Sequence, residues 1–281
     1  MKDIPQPQLP KAKLTYSNPD DPILKRLVIN TIEFATGRRK LEKIYNKVRN
    51  APLPPTALWG EALAQLDIEM RYDANQLNKI PKDVPLVFVA NHPFGVVDGL
   101  MLGHLISTVR PRYALLVNEV LCREPLLDPY LLPIDFNETK AALQTNLRTR
   151  TIALERLAAG EALGIFPAGG VATAPKIWKQ VQDLEWKRFT AKLIQQTQAT
   201  VIPLYFHGRN SQLFQIASQI NMHLRLSLLL HEIRNKIGKT IPINIGDPIP
   251  FETLRPYKDR QQLLDYLRQA TFNLADKSAF L

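Results

Sequence analysis

The sequence predicts an α/β fold: a central, mostly parallel sheet flanked by helices, with a helical extension at the N-terminus. Three observations carry this reading. Apolar runs of strand length, Pro85–Ala90, Ala162–Phe166 and Val201–Phe206, are separated by longer helical stretches. That alternation is what a helix-covered sheet needs. Apolar residues make up 45% of 281 positions, enough for a sizeable core. No internal repeat is visible.

Taken in order, Met1–Pro22 holds Pro5, Pro7, Pro10, Pro19 and Pro22 and reads as an extended arm. Asp20-Asp21-Pro22 then gives an acidic cap and a first-turn proline, a helix start. The helix is expected from Ile23 to Val48. Its second half is basic, with Arg38, Arg39, Lys40, Lys43, Lys47 and Arg49 against only Glu42. Asn50–Pro55 breaks it. A short helix over Thr56–Leu66 and a strand with alternating Ile68, Met70 and Tyr72 follow. A boundary near 66 therefore separates an arm with N-terminal helices (1–66) from one α/β domain (67–281).

Within that domain, Pro85–Ala90 reads as a buried strand and Leu100–Val109 as a helix. Tyr113–Val117 is a strand and Asn146–Ala159 a helix ended by Gly160. Ala162–Phe166 is a buried strand, Phe189–Gln198 a helix and Val201–Phe206 another buried strand. Met222–Ile237, ended by Gly238, reads as a helix covering the sheet. Ile241–Ile245 is a strand, and Asp259–Ala275 closes the chain as a helix.

A net charge of +10 suggests an anionic partner. A nucleic-acid-binding protein would use the same charge. It lacks a binding motif here, and the aromatics, 8% of the chain, are not interleaved with the basic runs, so no nucleic acid is expected. Met1–Lys13 has no apolar core and does not read as a signal peptide. No run approaches the ~20 apolar residues of a membrane span. Membrane contact is thus expected to be peripheral. The leading basic patch is Arg38, Arg39, Lys40 and Lys43. The segment with Trp178 and Trp186 is a second candidate, or else a loop whose tryptophans pack on the core. A single cysteine, Cys122, excludes an internal disulfide and reads as a small, buried or half-buried thiol. No His/Asp/Glu cluster supplies a metal site, so no metal is expected.

In open α/β sheets, ligands sit at the carboxyl ends of the strands. Three motifs lie there. Asn91-His92-Pro93-Phe94-Gly95-Val96-Val97-Asp98-Gly99 places a His and an Asp six positions apart on one loop. His92 can take a proton near neutral pH, and Asp98 can fix its tautomer. The plain alternative is a turn with Asp98 as a helix N-cap. Phe166-Pro167-Ala168-Gly169-Gly170 is either a common Gly-rich turn or a loop whose N–H groups approach an anion. Phe206-His207-Gly208-Arg209-Asn210-Ser211 offers Arg209 as an anion-binding fork, or simply as an exposed loop side chain.

In this order and spacing, over roughly Ile68–Pro250, the motifs resemble the glycerolipid (lysophospholipid) acyltransferase family. Asn-His-Pro-Phe-Gly-x-x-Asp-Gly and His-Gly-Arg-Asn-Ser resemble its branch labelled hemolysin, which also holds ornithine-lipid-type enzymes. Departures exist. Five residues lie between His92 and Asp98 where the common family has four, a spacing this branch shares. In the usual Phe-Pro-Glu-Gly-Thr, Ala168 replaces Glu and Gly170 replaces Thr. After Ile134-Asp135, Phe136 and Asn137 stand where a phosphate-binding Arg is expected.

The resemblance implies an O-acyltransferase without a resident cofactor. It would move an acyl chain from acyl-CoA or acyl carrier protein to a lyso-lipid hydroxyl. His92 would be the base and Asp98 its orienting partner, with no acyl-enzyme. Asn91, Gly95, Phe166, Pro167, Gly169, Gly170, Arg209 and Asn210 become the substrate-binding candidates. Backbone N–H groups near Gly95 or Gly169 are the candidate oxyanion donors. The expected place is the cytoplasm, at the inner face of an anionic membrane. A catalytically inactive lipid-binding relative is the alternative.

Overall fold

A computed structural model describes residues 22–35, 37–122, 125–137, 139–176, 179–220 and 222–276. The arm 1–21 and Trp178 lie outside the described residues. The helices are α1 (Ile23–Ala35), α2 (Arg38–Arg49), α3 (Leu58–Gln65), α4 (Ala74–Asn78), α5 (Val96–Val109), α6 (Lys140–Ala158), α7 (Phe189–Thr197), α8 (Gln212–Ile220), α9 (Met222–Ser227), α10 (Leu229–Lys236), α11 (Phe251–Leu254) and α12 (Arg260–Phe272). The strands are β1 (Glu69–Arg71), β2 (Leu86–Ala90), β3 (Tyr113–Asn118), β4 (Leu131–Ile134), β5 (Ala162–Ile165), β6 (Thr200–Phe206) and β7 (Thr240–Ile245).

These form one seven-stranded sheet in the order β1-β7-β6-β2-β5-β3-β4. The pairs β6–β2, β2–β5, β5–β3 and β3–β4 are parallel. β7 runs antiparallel to β6, and β1 parallel to β7. The expected mostly parallel sheet with flanking helices is therefore what forms.

β2 sits at the centre, and all five of its residues are buried. Its side chains divide by parity, as a strand's must. Leu86, Phe88 and Ala90 join Trp59, Leu63, Met101, Leu102 and Leu105 of α3 and α5. Val87 and Val89 join Ala153, Leu157, Leu193, Ile194, Leu263 and Leu267 of α6, α7 and α12. Helices on both faces explain why the strand sequence is continuously apolar rather than alternating.

Several expected elements are corrected. The single helix 23–48 is two, broken at Gly37, whose φ of +102° a helix cannot accommodate. The helix 222–237 is also two, although no Pro or Gly interrupts it. Tertiary packing makes that break: α9 leans on α8 and α1, whereas α10 leans on α2 and α5. α6 begins six residues before the expected start, at Lys140, because the Thr139 side chain caps it by accepting from the Ala142 N–H. β4 and α8 were not expected.

Candidate active site

β2 ends in a staple. The Asn91 side chain donates from Nδ2 to the Phe206 carbonyl at 2.9 Å and accepts the Phe206 N–H at Oδ1, 2.7 Å. It thus extends the β2–β6 pairing by one side-chain rung. Asn91 is only 5% exposed, and both ends of its amide are engaged with backbone. His92 begins its loop from this fixed point.

Each polar backbone group of His92 is held. Its N–H donates to Asp183 Oδ1 at 3.0 Å, and its carbonyl accepts the Ala172 N–H at 2.7 Å. The ring stacks on Phe166, centroids 4.0 Å apart at 18°. Nδ1 lies 2.9 Å from Asp98 Oδ2. Facing a carboxylate, Nδ1 carries the ring hydrogen in the neutral form, so Nε2 presents its lone pair.

Asp98 is not an N-cap. α5 starts at Val96, and Asp98 is its third residue, fully buried. Oδ2 accepts from the N–H groups of Phe94 (2.7 Å) and Gly95 (2.9 Å) as well as facing His92. Two N–H groups of the turn that leads into α5 and the imidazole therefore converge on one oxygen. Gly95 makes the turn with φ +95° and ψ −115°. A Cβ there would stand 3.2 Å from both Leu229 and Val171.

Asp183 was missed. It sits in a segment without helix or strand periodicity, 91 positions from His92, so only folding joins them. Its Oδ2 accepts Trp186 Nε1 at 3.0 Å. Burial raises the Asp183 pKa, opposed by the His92 amide and the Trp186 donor. Trp186 is thereby in the core, 2% exposed, not an interfacial anchor.

Residues 45–279 match a family model described as "Acyltransferase". The chain belongs to this acyltransferase family. A protein described as lyso-glycine lipid O-acyltransferase from Phocaeicola vulgatus is 28% identical over 217 residues, 74% of either chain. Its namesake from Bacteroides thetaiotaomicron is 26% identical over 215 residues, 74% of this chain and 76% of that one. The crystal structure of the 1-acyl-sn-glycerophosphate (LPA) acyltransferase PlsC from Thermotoga maritima superposes with a TM-score of 0.52 at 14% identity. It covers 92% of this chain and 98% of that chain, so the two share a fold.

The second motif of this acyltransferase forms the floor beside His92. Phe166 lies under the imidazole, and Pro167 and Ala168 are buried. The Gly169 N–H closes a turn onto the Phe166 carbonyl at 2.9 Å. The N–H groups of Gly95 and Gly169 themselves donate within the protein, which leaves their neighbours as the candidate oxyanion donors near them. Gly170 faces Leu184 and Arg225: a Cβ there would be 3.0 Å from Leu184 Cδ1 and 3.8 Å from Arg225 Nη2. Phe136 lies against Gly169, and Asn137 folds onto Asp135, so neither supplies a cation.

The third motif is pinned to α10. Ser211 donates from both N–H and Oγ to Glu232, which is 1% exposed. Asn210 is buried and donates to the Phe94 carbonyl at 3.3 Å, while Arg209 is exposed. Lys236 lies over the Phe94 ring, 4.8 Å from its centroid, and 3.8 Å from Glu232. The structure thus brings Asn91, His92, Gly95, Asp98, Phe166 and Asn210 around one loop and leaves Arg209 at the surface.

Proposed function

We propose that this acyltransferase moves an acyl chain from a thioester to the hydroxyl of a lyso-lipid, with His92 as general base. The observation that carries the reading is the His92–Asp98 pair, with Nδ1 held at 2.9 Å and one imidazole nitrogen left for substrate. Nε2 takes the acceptor O–H proton as that oxygen attacks the thioester carbonyl. The tetrahedral intermediate collapses, the C–S bond breaks, and His92 returns the proton to the leaving thiolate. Asp98 stabilises the imidazolium between those steps. Such a base contributes typically ~10²–10⁴-fold. Stacking on Phe166 keeps the ring in one plane, so positioning adds to it.

The two relatives described as lyso-glycine lipid O-acyltransferases favour a lyso-glycine lipid as acceptor over lysophosphatidate. The lack of a cation at Phe136 and Asn137 agrees with that choice. The donor is acyl-CoA or acyl carrier protein.

The acceptor is a lipid, and α1 offers a surface suited to one. Ile23, Leu24, Leu27 and Phe34 are 83%, 74%, 61% and 54% exposed. Arg39, Lys40 and Lys43 of α2 are exposed beside it, with Arg39 4.7 Å over the Phe34 ring. Arg38 is paired with Glu33 at 3.1 Å and Glu42 at 3.5 Å, so its charge is offset. Apolar side chains flanked by cations suit the surface of an anionic bilayer. No described helix is long and apolar enough to cross a membrane. The test is transfer of labelled acyl chains from each donor into a panel of lyso-lipids. Product from a lyso-glycine lipid is expected. Product only from lysophosphatidate would refute the acceptor assignment, and none from any lyso-lipid would refute the function.

A further inference from the structure

Outside the His92–Asp98 pair, Arg225 is an inward cation near the candidate site that stands without a carboxylate among the described residues. Arg225 of α9 is half-buried, donates from Nη2 to the Val171 carbonyl at 2.7 Å, and lies 5.8 Å over the Phe214 ring. Among the described residues it makes no ion pair. Burial alone pulls its pKa below the ordinary arginine value. A cation taken out of water is normally matched by an anion.

Its place is next to the chemistry. Val171, which holds Arg225, would meet a Cβ on Gly95 at 3.2 Å, and the next residue, Ala172, donates to the His92 carbonyl. Residue 170 is glycine, and a Cβ there would lie 3.0 Å from Leu184 Cδ1 and 3.8 Å from Arg225 Nη2, so this loop passes close to the guanidinium. Leu224 and Leu228, on either side of Arg225 in sequence, line a groove of about 290 Å³ together with Leu213, Ile216, Ala217 and Ile220 of α8. Every lining residue is apolar. A buried-side cation on the helix that borders an apolar trough matches a single-chain anionic amphiphile.

We propose that Arg225 and this groove form the acceptor subsite, the groove taking the chain of the lyso-lipid and Arg225 its anionic headgroup. The proposal rests on the lyso-lipid reading above. The acceptor suits it better than the donor. An acceptor's headgroup lies near its reacting hydroxyl, whereas a thioester donor's phosphates lie at the far end of the pantetheine arm. Arg225 is thus a specificity-determining residue, not a catalytic one.

The test is binding to the His92→Ala protein, which needs no turnover and is therefore readable even if the transfer reading fails. Three soluble probes are titrated: a short-chain N-(hydroxyacyl)glycine, its neutral glycinamide, and a short-chain lysophosphatidate. Arg225→Gln is expected to weaken an anionic probe at least tenfold, roughly one lost charge-assisted contact, and to leave the amide unchanged. Arg225→Lys restores part of the loss, and Ile216→Asp weakens all three probes. Whichever anion responds more identifies the headgroup. Equal loss on the amide, no loss on either anion, or no binding of either anion to the parent would overturn the proposal. So would an Arg225→Gln enzyme whose KM rises for acyl-CoA and not for the acceptor. Melting temperatures are measured alongside, and Arg225→Lys serves if the Gln protein does not fold.

Discussion

At Asp98, a single carboxylate oxygen does two jobs that mutation can separate. It faces His92, and it receives two buried backbone N–H groups at the start of α5. Asn keeps an acceptor oxygen there and loses the charge. Asp98→Asn is expected to lower kcat roughly 10²–10⁴-fold while the melting temperature changes little. Asp98→Ala leaves the Phe94 and Gly95 donors unpaired, at about 1–3 kcal/mol each, and is expected to lose stability as well as rate. Equal stability of the two proteins in urea melts would contradict this division. Cys122 is the opposite case, a side chain placed to do little. Burial, then Asp128 and Glu119, push its thiol up to about 11. Iodoacetamide at pH 7.5 should alkylate it far more slowly in the folded protein than in urea. The pairing of His92 with Asp98 was legible because both lie on one short loop. Asp183 was not, because its contact with the His92 N–H crosses 91 positions.

The elements show what local pattern can and cannot reveal. The runs around β2, β5 and β6 were readable because burial on both faces leaves only apolar residues. The Gly37 break could have been read from the glycine itself. The break at Leu228 could not, since it arises from different packing partners for α9 and α10. β4 carries Pro133 and stands at the sheet's edge, where a missing N–H is tolerated, so propensity argued against it. Asn91 acts at this scale through its two bonds to the Phe206 backbone. Asn91→Ala leaves the buried Phe206 N–H and carbonyl without this rung and should cost about 2–4 kcal/mol in denaturant unfolding. A loss below 0.5 kcal/mol would show that the staple is dispensable. Gly164 of β5 marks another close approach: a Cβ there would collide with Leu115 and lie 2.7 Å from Ile106.

For the molecule as a whole, charge and pH set the working range. Burial lowers the pKa of His104 and of His207 from 6.5. The native state then binds protons more weakly than the unfolded chain at those sites. Their stabilisation is complete above about pH 6.5 and is lost as pH falls through the lowered values. Replacing His104 by Gln should flatten the fall in melting temperature between pH 7.5 and 5. An unchanged slope would remove His104 from that account. The basic balance of +10 was legible at once, but its placement on α2 beside the apolar face of α1 needed the fold. Lys40→Gln with Lys43→Gln is expected to lower partitioning onto anionic vesicles by about 2 kcal/mol, roughly 30-fold, and to leave zwitterionic vesicles unaffected.

The central claim is that His92 moves the proton, and single-turnover acyl transfer tests it most directly. The rate is measured for the parent and for His92→Ala with enzyme in excess over a bound lyso-lipid. A loss of about 10²–10⁴-fold in the chemical step is expected, with acceptor affinity and melting temperature nearly unchanged. A His92→Ala rate within tenfold of the parent would contradict it, and the chemistry would then belong to another group.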